Sequence, residues 1–270
     1  MLIGTMNHPA RDVLKEIEWI AGMGLDFVDL TLEPPMAAVW KIDPAAIRAA
    51  LERHRLPVVG HTAYYLPICS PFESIRRAAV DELRHCLEIF AQVGARWMNI
   101  HPDHNAPLHQ LEFVYERNMQ SLRDLTPMSR DLGIGLMIEN LPGRFNTVRQ
   151  VGPLLDALPE LGFHLDVGHS NLMVEPNSAD ELIAAYGQRL RHVHLHDNKG
   201  GKDDLHMPLG TGTLDFPHYI RTLKKSGYDG TITLEVFTPD PKYLEYSRDV
   251  LRRIWDESSP GYESRPRSHT

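Results

Sequence analysis

The order of apolar and amphipathic segments constrains the fold of this chain more than any other feature. Eight short apolar runs alternate with segments in which apolar residues recur every three to four positions, as in Val13, Ile17 and Ile20. Such alternation is typical of βα units, in which helices cover a parallel sheet. The predicted strands are Leu2–Met6, Phe27–Leu32, Val58–Thr62, Trp97–His101, Leu136–Asn140, Gly162–Asp166, His192–Asp197 and Thr231–Val236.

Eight strands alternating with about eight helices predict an α/β fold, a single-domain (β/α)8 TIM barrel. An open doubly wound sheet is the alternative, but it would need fewer strands, and no glycine-rich phosphate loop follows the first strand. The barrel is predicted over residues 1–256, and the polar, aperiodic segment 257–270 is predicted to be a disordered tail. The glycines predicted to end helices in left-handed caps are Gly24, Gly94, Gly133, Gly162, Gly227 and Gly230.

Net charge and cysteine content narrow the partners and the compartment. The 270 residues carry a formal net charge of −8, which gives no general attraction to nucleic acid or to an anionic membrane. The two cysteines, Cys69 and Cys86, indicate a reducing compartment rather than a disulfide framework. The first residues lack the pattern of a signal peptide, and no apolar run reaches the ~18 residues of a membrane span. We therefore expect a cytoplasmic protein without membrane association.

Histidines and carboxylates recur where the predicted strands end. In a barrel, alternate strand residues point into the lumen, and the carboxyl ends of all strands meet at one face. In the eighth predicted strand, Glu235 shares the inward side with Thr233. In the seventh, His194 shares it with His192 and His196. The candidate ligands at or near strand ends are His61, His101, Glu139, Asp166, His169, His194, Asp204, His206 and Glu235.

Several carboxylates in one lumen favour a metal site. A single histidine at a strand end is more often a hydrogen-bonded structural residue, and a single buried carboxylate more often pairs with an arginine or a backbone N–H. Burial of Glu139, Asp166 and Glu235 together, however, would raise their pKa values or require a cation. Histidine and carboxylate ligands without thiolate suit Zn²⁺, Mn²⁺, Fe²⁺ or Co²⁺. The histidines expected to support these ligands or to be solvated are His104, His109, His164, His192 and His196.

Six motifs resemble the xylose-isomerase-like TIM-barrel superfamily. This superfamily joins sugar phosphate isomerases and epimerases to apurinic endonucleases of the endonuclease IV type, AP endonuclease family 2. The resemblance covers nearly the whole chain, to about Trp255, and is specific for the superfamily rather than for one reaction. The motifs are GHTAYYLPICSP, NIHPDHN, MIENLPG, GFHLDVGHSN, VHLHDNKGGKDDLHMPLGTGTLDF and ITLEVF.

The two branches of the superfamily imply different metal sites. The sugar-isomerase branch has one metal with four ligands, and in its ketose epimerases the two glutamates, matched by Glu139 and Glu235, also transfer the proton. A residue that contacts a substrate oxygen in that branch is matched by His169. The four ligands are matched by Glu139, Asp166, His194 and Glu235. The trinuclear zinc site of the endonuclease branch adds positions matched by His61, His101, His169, Asp204 and His206.

Two departures from the family patterns concern substrate binding. Ketose 3-epimerases usually carry an arginine shortly after the histidine of strand seven, where this chain has Asn198, Lys199 and Gly200. Lys199 is therefore a candidate substrate-binding residue. Tyr64 matches an aromatic residue of a DNA-contacting loop in the endonucleases, but the rest of that loop, YLPICSP, is uncharged. Tyr64 is equally suited to stack on a sugar.

The number of metals separates the possible reactions. One divalent ion would leave a pocket of four carboxylates at about −2, which suits a neutral polyol, whereas three would leave it at about +2, which attracts a phosphoryl group. The carboxylates concerned are Glu139, Asp166, Asp204 and Glu235. The sequence thus leaves open one to three divalent ions.

We predict a divalent-metal-dependent sugar or sugar-phosphate isomerase or epimerase. Glu139 and Glu235 would transfer the proton beside a metal-chelated hydroxy-carbonyl group of a small-molecule substrate. The acidic surface and compact loops favour this reading. The alternative is an endonuclease IV-like trinuclear phosphodiesterase acting on nucleic acid, and a third possibility is another metal-dependent reaction such as dehydration. A homo-oligomer is compatible with either enzyme.

Overall fold

Eight parallel strands form a closed barrel in chain order, which confirms the predicted (β/α)8 fold. The computed structural model describes residues 1–258. The strands are β1 (Leu2–Met6), β2 (Phe27–Leu32), β3 (Val58–Thr62), β4 (Trp97–Ile100), β5 (Gly135–Glu139), β6 (Gly162–Asp166), β7 (Leu190–Leu195) and β8 (Thr231–Leu234).

One helix follows each strand and covers the outside of the barrel. Within residues 1–258, none of these helices combines the length and the hydropathy that a bilayer crossing requires. The last helix includes Glu257, the first residue of the predicted tail, and residues 259–270 lie outside the described part of the chain. The helices are α1 (Val13–Gly22), α2 (Pro44–His54), α3 (Glu73–Val93), α4 (Leu111–Leu132), α5 (Val148–Ala157), α6 (Ala179–Tyr186), α7 (Phe216–Lys225) and α8 (Lys242–Glu257).

Close packing of α3 on β3 sets which side chains enter the lumen. Gly60 faces the helix layer, because a Cβ built there would lie 2.8 Å from the ring of Phe90. Leu83, Leu87 and Phe90 form the buried face of α3. Since successive strand residues point to opposite sides, His61 then points into the lumen.

The pairing register brings polar lumen residues to one level. Asp166 pairs with His194 across β6 and β7, and His194 pairs with Thr233 across β7 and β8. Glu139 pairs with His164 across β5 and β6. Inward-pointing residues of neighbouring parallel strands stack in layers. The carboxyl-end layer of this barrel is therefore polar, whereas the space between strands and helices is apolar.

Four of the six glycines predicted to end helices have the left-handed backbone of a helix cap, which confirms the prediction for them. Those with a positive φ are Gly24, Gly94, Gly133 and Gly227. The prediction is wrong for Gly162 and Gly230, which lie at or just before strand starts and need space rather than a left-handed backbone. A Cβ would lie 2.7 Å from Arg191 Cγ at the first and 2.8 Å from the Tyr228 ring at the second.

Candidate active site

Glu139, the last residue of β5, lies among buried imidazoles. Its Oε2 is 2.9 Å from His101 Nε2 and 3.9 Å from His61 Nε2. Its Oε1 is 3.3 Å from His169 Nδ1. Asn99 on β4 donates to Oε2 over 2.6 Å, which fixes the carboxylate. The ends of β3, β4, β5 and β6 thus meet at one glutamate.

His194 faces two further carboxylates through one ring nitrogen. Its Nδ1 lies 3.3 Å from Glu235 Oε2 and 3.9 Å from Asp166 Oδ2. Candidate ligand atoms of Glu139, Asp166 and His194 all lie within 4.8 Å of one another. Asp166 Oδ2 is buried and has no hydrogen-bond partner, and a carboxylate oxygen in such a place calls for a cation. The donor set therefore fits a divalent metal.

A second group lies beside this core, where Asp204 faces two histidines. Nδ1 of His169 lies 3.1 Å from the Asn140 carbonyl, and Nδ1 of His206 lies 3.1 Å from the Glu235 carbonyl. A carbonyl only accepts, so each Nδ1 carries its proton. The Nε2 atoms of His169 and His206 lie 3.2 and 3.1 Å from Asp204 Oδ2. This arrangement fits either two protonated imidazoles or a cation.

The loop between β7 and α7 carries Asp204 and His206 back over the lumen. Asp197, fully buried, holds this loop by accepting backbone N–H bonds. Its Oδ2 accepts from Gly210 over 2.9 Å and from Gly212 over 2.7 Å, and its Oδ1 accepts from two further backbone groups of the loop. His206 adopts a left-handed backbone with φ 45°. This backbone geometry aims its ring at the site.

Electrostatics keep the two glutamates of the site ionised. Burial acts to raise the pKa of Glu139, but the nearby imidazoles of His164 and His101 hold that pKa well below the usual range. Glu235 behaves likewise, and His194 lowers its pKa to about 2 despite burial. Burial lowers the pKa of His61 to about 4, so its ring is neutral at pH 7. Ionised carboxylates and a neutral imidazole are the states that bind a metal. Burial acts to lower the pKa of His194, but Glu235 and Asp29 raise it well above the usual value, so this ring would release a proton on binding a metal.

Sequence reasoning missed Asp29, which lies in β2 below the site. Its side chain is fully buried, and its Oδ2 lies 2.8 Å from His194 Nε2 and 3.2 Å from His192 Nε2. Burial acts to raise the pKa of Asp29, but the bonds from these histidines outweigh it and lower the pKa well below the usual value. The signal was a charged residue inside the apolar run FVDLTL. Asn99 was missed as well; it is a polar residue inside the apolar run WMNI.

Aromatic side chains border the mouth of the site. Tyr64 is 66% exposed, and its ring centroid lies 6.4 Å from that of His101. Phe237 is 59% exposed and stacks on His206 at 4.5 Å. Lys199 is exposed, and within residues 1–258 no hydrogen bond or ion pair links it to the candidate ligands. Its predicted role in substrate binding stays a prediction.

The other predicted histidines divide between lumen and surface. Those fully buried in the lumen are His164, His192 and His196. His104 and His109 are exposed in the loop before α4. Both nitrogens of His164 and of His196 lack a hydrogen-bond partner, although each ring lies beside a candidate ligand carboxylate.

Comparison with known proteins decides the family. A family model described as xylose isomerase-like TIM barrel matches residues 17–254. The chain belongs to the xylose isomerase-like TIM barrel family. The resemblance expected from the six motifs is thereby confirmed.

The relatives of this chain that have named activities include a sugar epimerase and an endonuclease. Fructoselysine 3-epimerase of Escherichia coli O157:H7 is 26% identical over 77% of this chain and 78% of that protein. A probable endonuclease 4 of Mycobacterium tuberculosis (strain ATCC 25177 / H37Ra) is 26% identical over 84% of this chain and 90% of that protein. A solved D-tagatose 3-epimerase-like protein has a TM-score of 0.81 at 22% identity, covering 94% and 97% of the two chains, which shows the shared fold.

Proposed function

We propose that this protein is a divalent-metal-dependent epimerase or isomerase of a small sugar or sugar derivative. The observation that carries the proposal is the arrangement of two ionised glutamates around one candidate metal group. Glu139 lies within 4.8 Å of the ligand atoms of Asp166 and His194, and Glu235 lies 3.3 Å from His194 Nδ1. The 3-epimerase among the relatives supports the same class of reaction.

Four side chains would hold the metal. These are Glu139, Asp166, His194 and Glu235. A divalent ion bound there would polarise the carbonyl and the adjacent hydroxyl of an open-chain sugar. His169, His206 and Asp204 lie beside that position and offer hydrogen bonds to further hydroxyls of the substrate.

Inversion at carbon requires proton removal on one face and proton delivery on the other. Glu139 projects from β5 and Glu235 follows β8, so they approach from different sides of the lumen. One ionised glutamate accepts the carbon-bound proton, and the other, which takes up a proton from solvent before that step, delivers it to the opposite face. Asn99 donates to Glu139 Oε2, which leaves Oε1 as the freer base atom.

The mouth of the site suits a neutral substrate. Tyr64 and Phe237 present apolar ring faces of the kind that stack on sugars, and the chain carries a net charge of −8. Lys199 is the one predicted cationic group for a substrate bearing a phosphate or carboxylate.

Solvent exchange tests this proposal. Protein loaded with Mn²⁺, Co²⁺ or Zn²⁺ is incubated in D₂O with a panel of ketoses and ketose-amine adducts, and deuterium at the carbon beside the carbonyl is followed by NMR. We expect exchange with epimer formation, loss in Glu139→Gln of epimer formation and of exchange with one of the two epimers, and retention of all of these in the surface control Glu112→Gln. Exchange by Glu139→Gln with both epimers would refute the assigned base, and absence of exchange with every ketose would refute the function.

A second candidate function has one specific observation in its favour. The positions of a three-metal phosphodiesterase are all present, because His61, His101 and Glu139 form a further group with ligand atoms within 4.8 Å. Asp204 with its two histidines supplies the third position. Three bound ions per chain together with incision of DNA at abasic sites would favour this candidate over the epimerase.

A further inference from the structure

One carboxylate deep in the lumen contacts several side chains through a single oxygen. Asp29 Oδ2 accepts from Thr233 Oγ1 over 2.8 Å and lies 2.8 Å from His194 Nε2 and 3.2 Å from His192 Nε2. Asp29 Oδ1 is buried and has no hydrogen-bond partner. β2 supplies none of the nine predicted ligands, and Asp29 is the charged residue that this strand places beside the site.

The contact decides which nitrogen of His194 keeps its proton when a cation binds. An ionised carboxylate only accepts, so the 2.8 Å contact holds a proton on Nε2 of His194. Nδ1 lies 3.3 Å from Glu235 and 3.9 Å from Asp166, so it is the nitrogen whose lone pair a cation between these carboxylates would take, in place of any proton shared with Glu235. With the opposite tautomer, Nδ1 would present a hydrogen to these carboxylates and would not bind a cation.

We propose that Asp29 is the positioning residue that sets the tautomer and ring orientation of His194, so that Nδ1 faces the metal. This inference rests on the metal site of the proposed function. A histidine ligand that donates its other ring N–H to a carboxylate is held in one orientation and becomes a more basic ligand. His192 shares the same oxygen and is held at its other nitrogen by Thr231 Oγ1 over 2.7 Å, so Asp29 is itself held in place.

The other rings around His194 do not hydrogen-bond its Nε2, so Asp29 is the polar partner of that nitrogen. His164 packs edge-on against His194 with ring centroids 4.1 Å apart, but both nitrogens of His164 lack partners. His61 stacks on His194 at 5.5 Å. These contacts restrict ring tilt without distinguishing Nδ1 from Nε2, whereas the bond to Asp29 distinguishes them.

The matched pair Asp29→Asn and Asp103→Asn tests the proposal through metal affinity. Asp103 is also buried, but it accepts from the backbone N–H groups of Cys69 and Asn105 rather than from a ligand histidine. Chelator competition with Zn²⁺ or Mn²⁺ should show a ~10–100-fold weaker Kd for Asp29→Asn, the range for loss of such a partner. Asp103→Asn should bind as the wild type does. Equal affinity of folded Asp29→Asn and wild type would overturn the proposal.

A spectroscopic measurement needs no variant at position 29. Long-range ¹H–¹⁵N spectra of histidine-labelled, metal-free wild type, recorded at a pH high enough for the ring of His194 to be neutral and with the His194 signals assigned through His194→Gln, should show the Nε2–H form of His194. The Nδ1–H form would overturn the proposal even if Asp29→Asn did not fold. A wild type that binds no metal but shows the Nε2–H form would refute the proposed function while leaving the role of Asp29 intact.

Discussion

Glu139 and Glu235 look equivalent in the sequence, but their surroundings differ. Glu139 is 1% exposed and its Oε2 is hydrogen-bonded to Asn99. Glu235 is 8% exposed, and its Oε2 faces His194 and, at 3.6 Å, His206. Glu235 therefore lies nearer to the mouth. In the proposed mechanism, each of the two residues removes the proton from a different epimer.

Glu235→Gln should lower kcat by ~10²–10⁴, the usual contribution of a positioned acid or base. Exchange of the carbon-bound proton with solvent should be lost for one epimer only, because in the proposed mechanism each epimer presents its proton to a different glutamate. Initial rates and deuterium incorporation from each pure epimer, with metal content determined in parallel, provide the measurement. Equal rates for the variant and the wild type would contradict the role of Glu235.

The burial of His61 should make the free energy of unfolding of the metal-free protein depend on pH. The pKa of His61 falls from 6.5 in the unfolded chain to about 4 in the folded state because of burial. Between these values the unfolded chain binds the extra proton, so the free energy of unfolding decreases as pH falls. Between pH 7 and pH 4, the free energy of unfolding of the wild type should fall by roughly 3 kcal/mol more than that of His61→Asn. Urea titrations of both proteins with chelator at pH 7, 5.5 and 4 measure it, and parallel curves would contradict it.

Sequence predicts a residue's chemistry better than its contacts. The nine ligand candidates could be selected because each is a metal-binding residue type and almost all lie at or near the end of an apolar run. Asp29 and Asn99 lie inside such runs, and their importance depends on partners 165 and 40 positions away. No local sequence pattern reveals contacts between residues so far apart in the chain. The tautomer of His194 follows only from the folded arrangement.

At the scale of elements, the alternation of strands and helices was predictable, and the ends were less so. The predicted fourth strand reached His101, whereas β4 ends at Ile100, where its pairing with Ile138 also ends. β7 begins at Leu190, two residues before the predicted start. Strand ends depend on neighbouring strands, and the sequence of one segment does not contain that information.

The loop between β7 and α7 depends on glycine at position 212. A Cβ there would lie 2.2 Å from Asn198 O and 2.3 Å from Asp197 Oδ1, so Gly212→Ala must displace the loop. We expect the free energy of unfolding to fall by ~1–3 kcal/mol. Metal or substrate bound through Asp204 and His206 should also be held less tightly.

Gly22→Ala provides the control for that substitution. A Cβ at Gly22 in α1 meets nothing within 4 Å, so alanine should leave stability unchanged or raise it by up to ~1 kcal/mol. Thermal unfolding of both variants, with and without added metal, measures the two effects. A Gly212→Ala protein as stable as Gly22→Ala would contradict the loop's dependence on position 212.

At the scale of the whole molecule, four carboxylates converge on one lumen, and within residues 1–258 their ion-pair partners are histidines rather than arginine or lysine. Metal removal should therefore lower the Tm, because an ion that binds only the folded state stabilises it by about 2.7 kcal/mol at a concentration one hundred times its Kd. Calorimetry before and after chelation, with metal content measured by mass spectrometry, tests this. Identical Tm values for chelated and reloaded protein would contradict a metal in the lumen.

Closure of the barrel has a consequence for the order of events during synthesis. β1 pairs with β8 as well as with β2, so the ring is incomplete until residues 231–234 have left the ribosome. Glu235 follows directly, which makes it the last of the nine candidate ligands to emerge. A nascent chain shorter than this lacks both the strand that closes the barrel and one candidate ligand. The complete set of candidate ligands is therefore available only once the barrel can close.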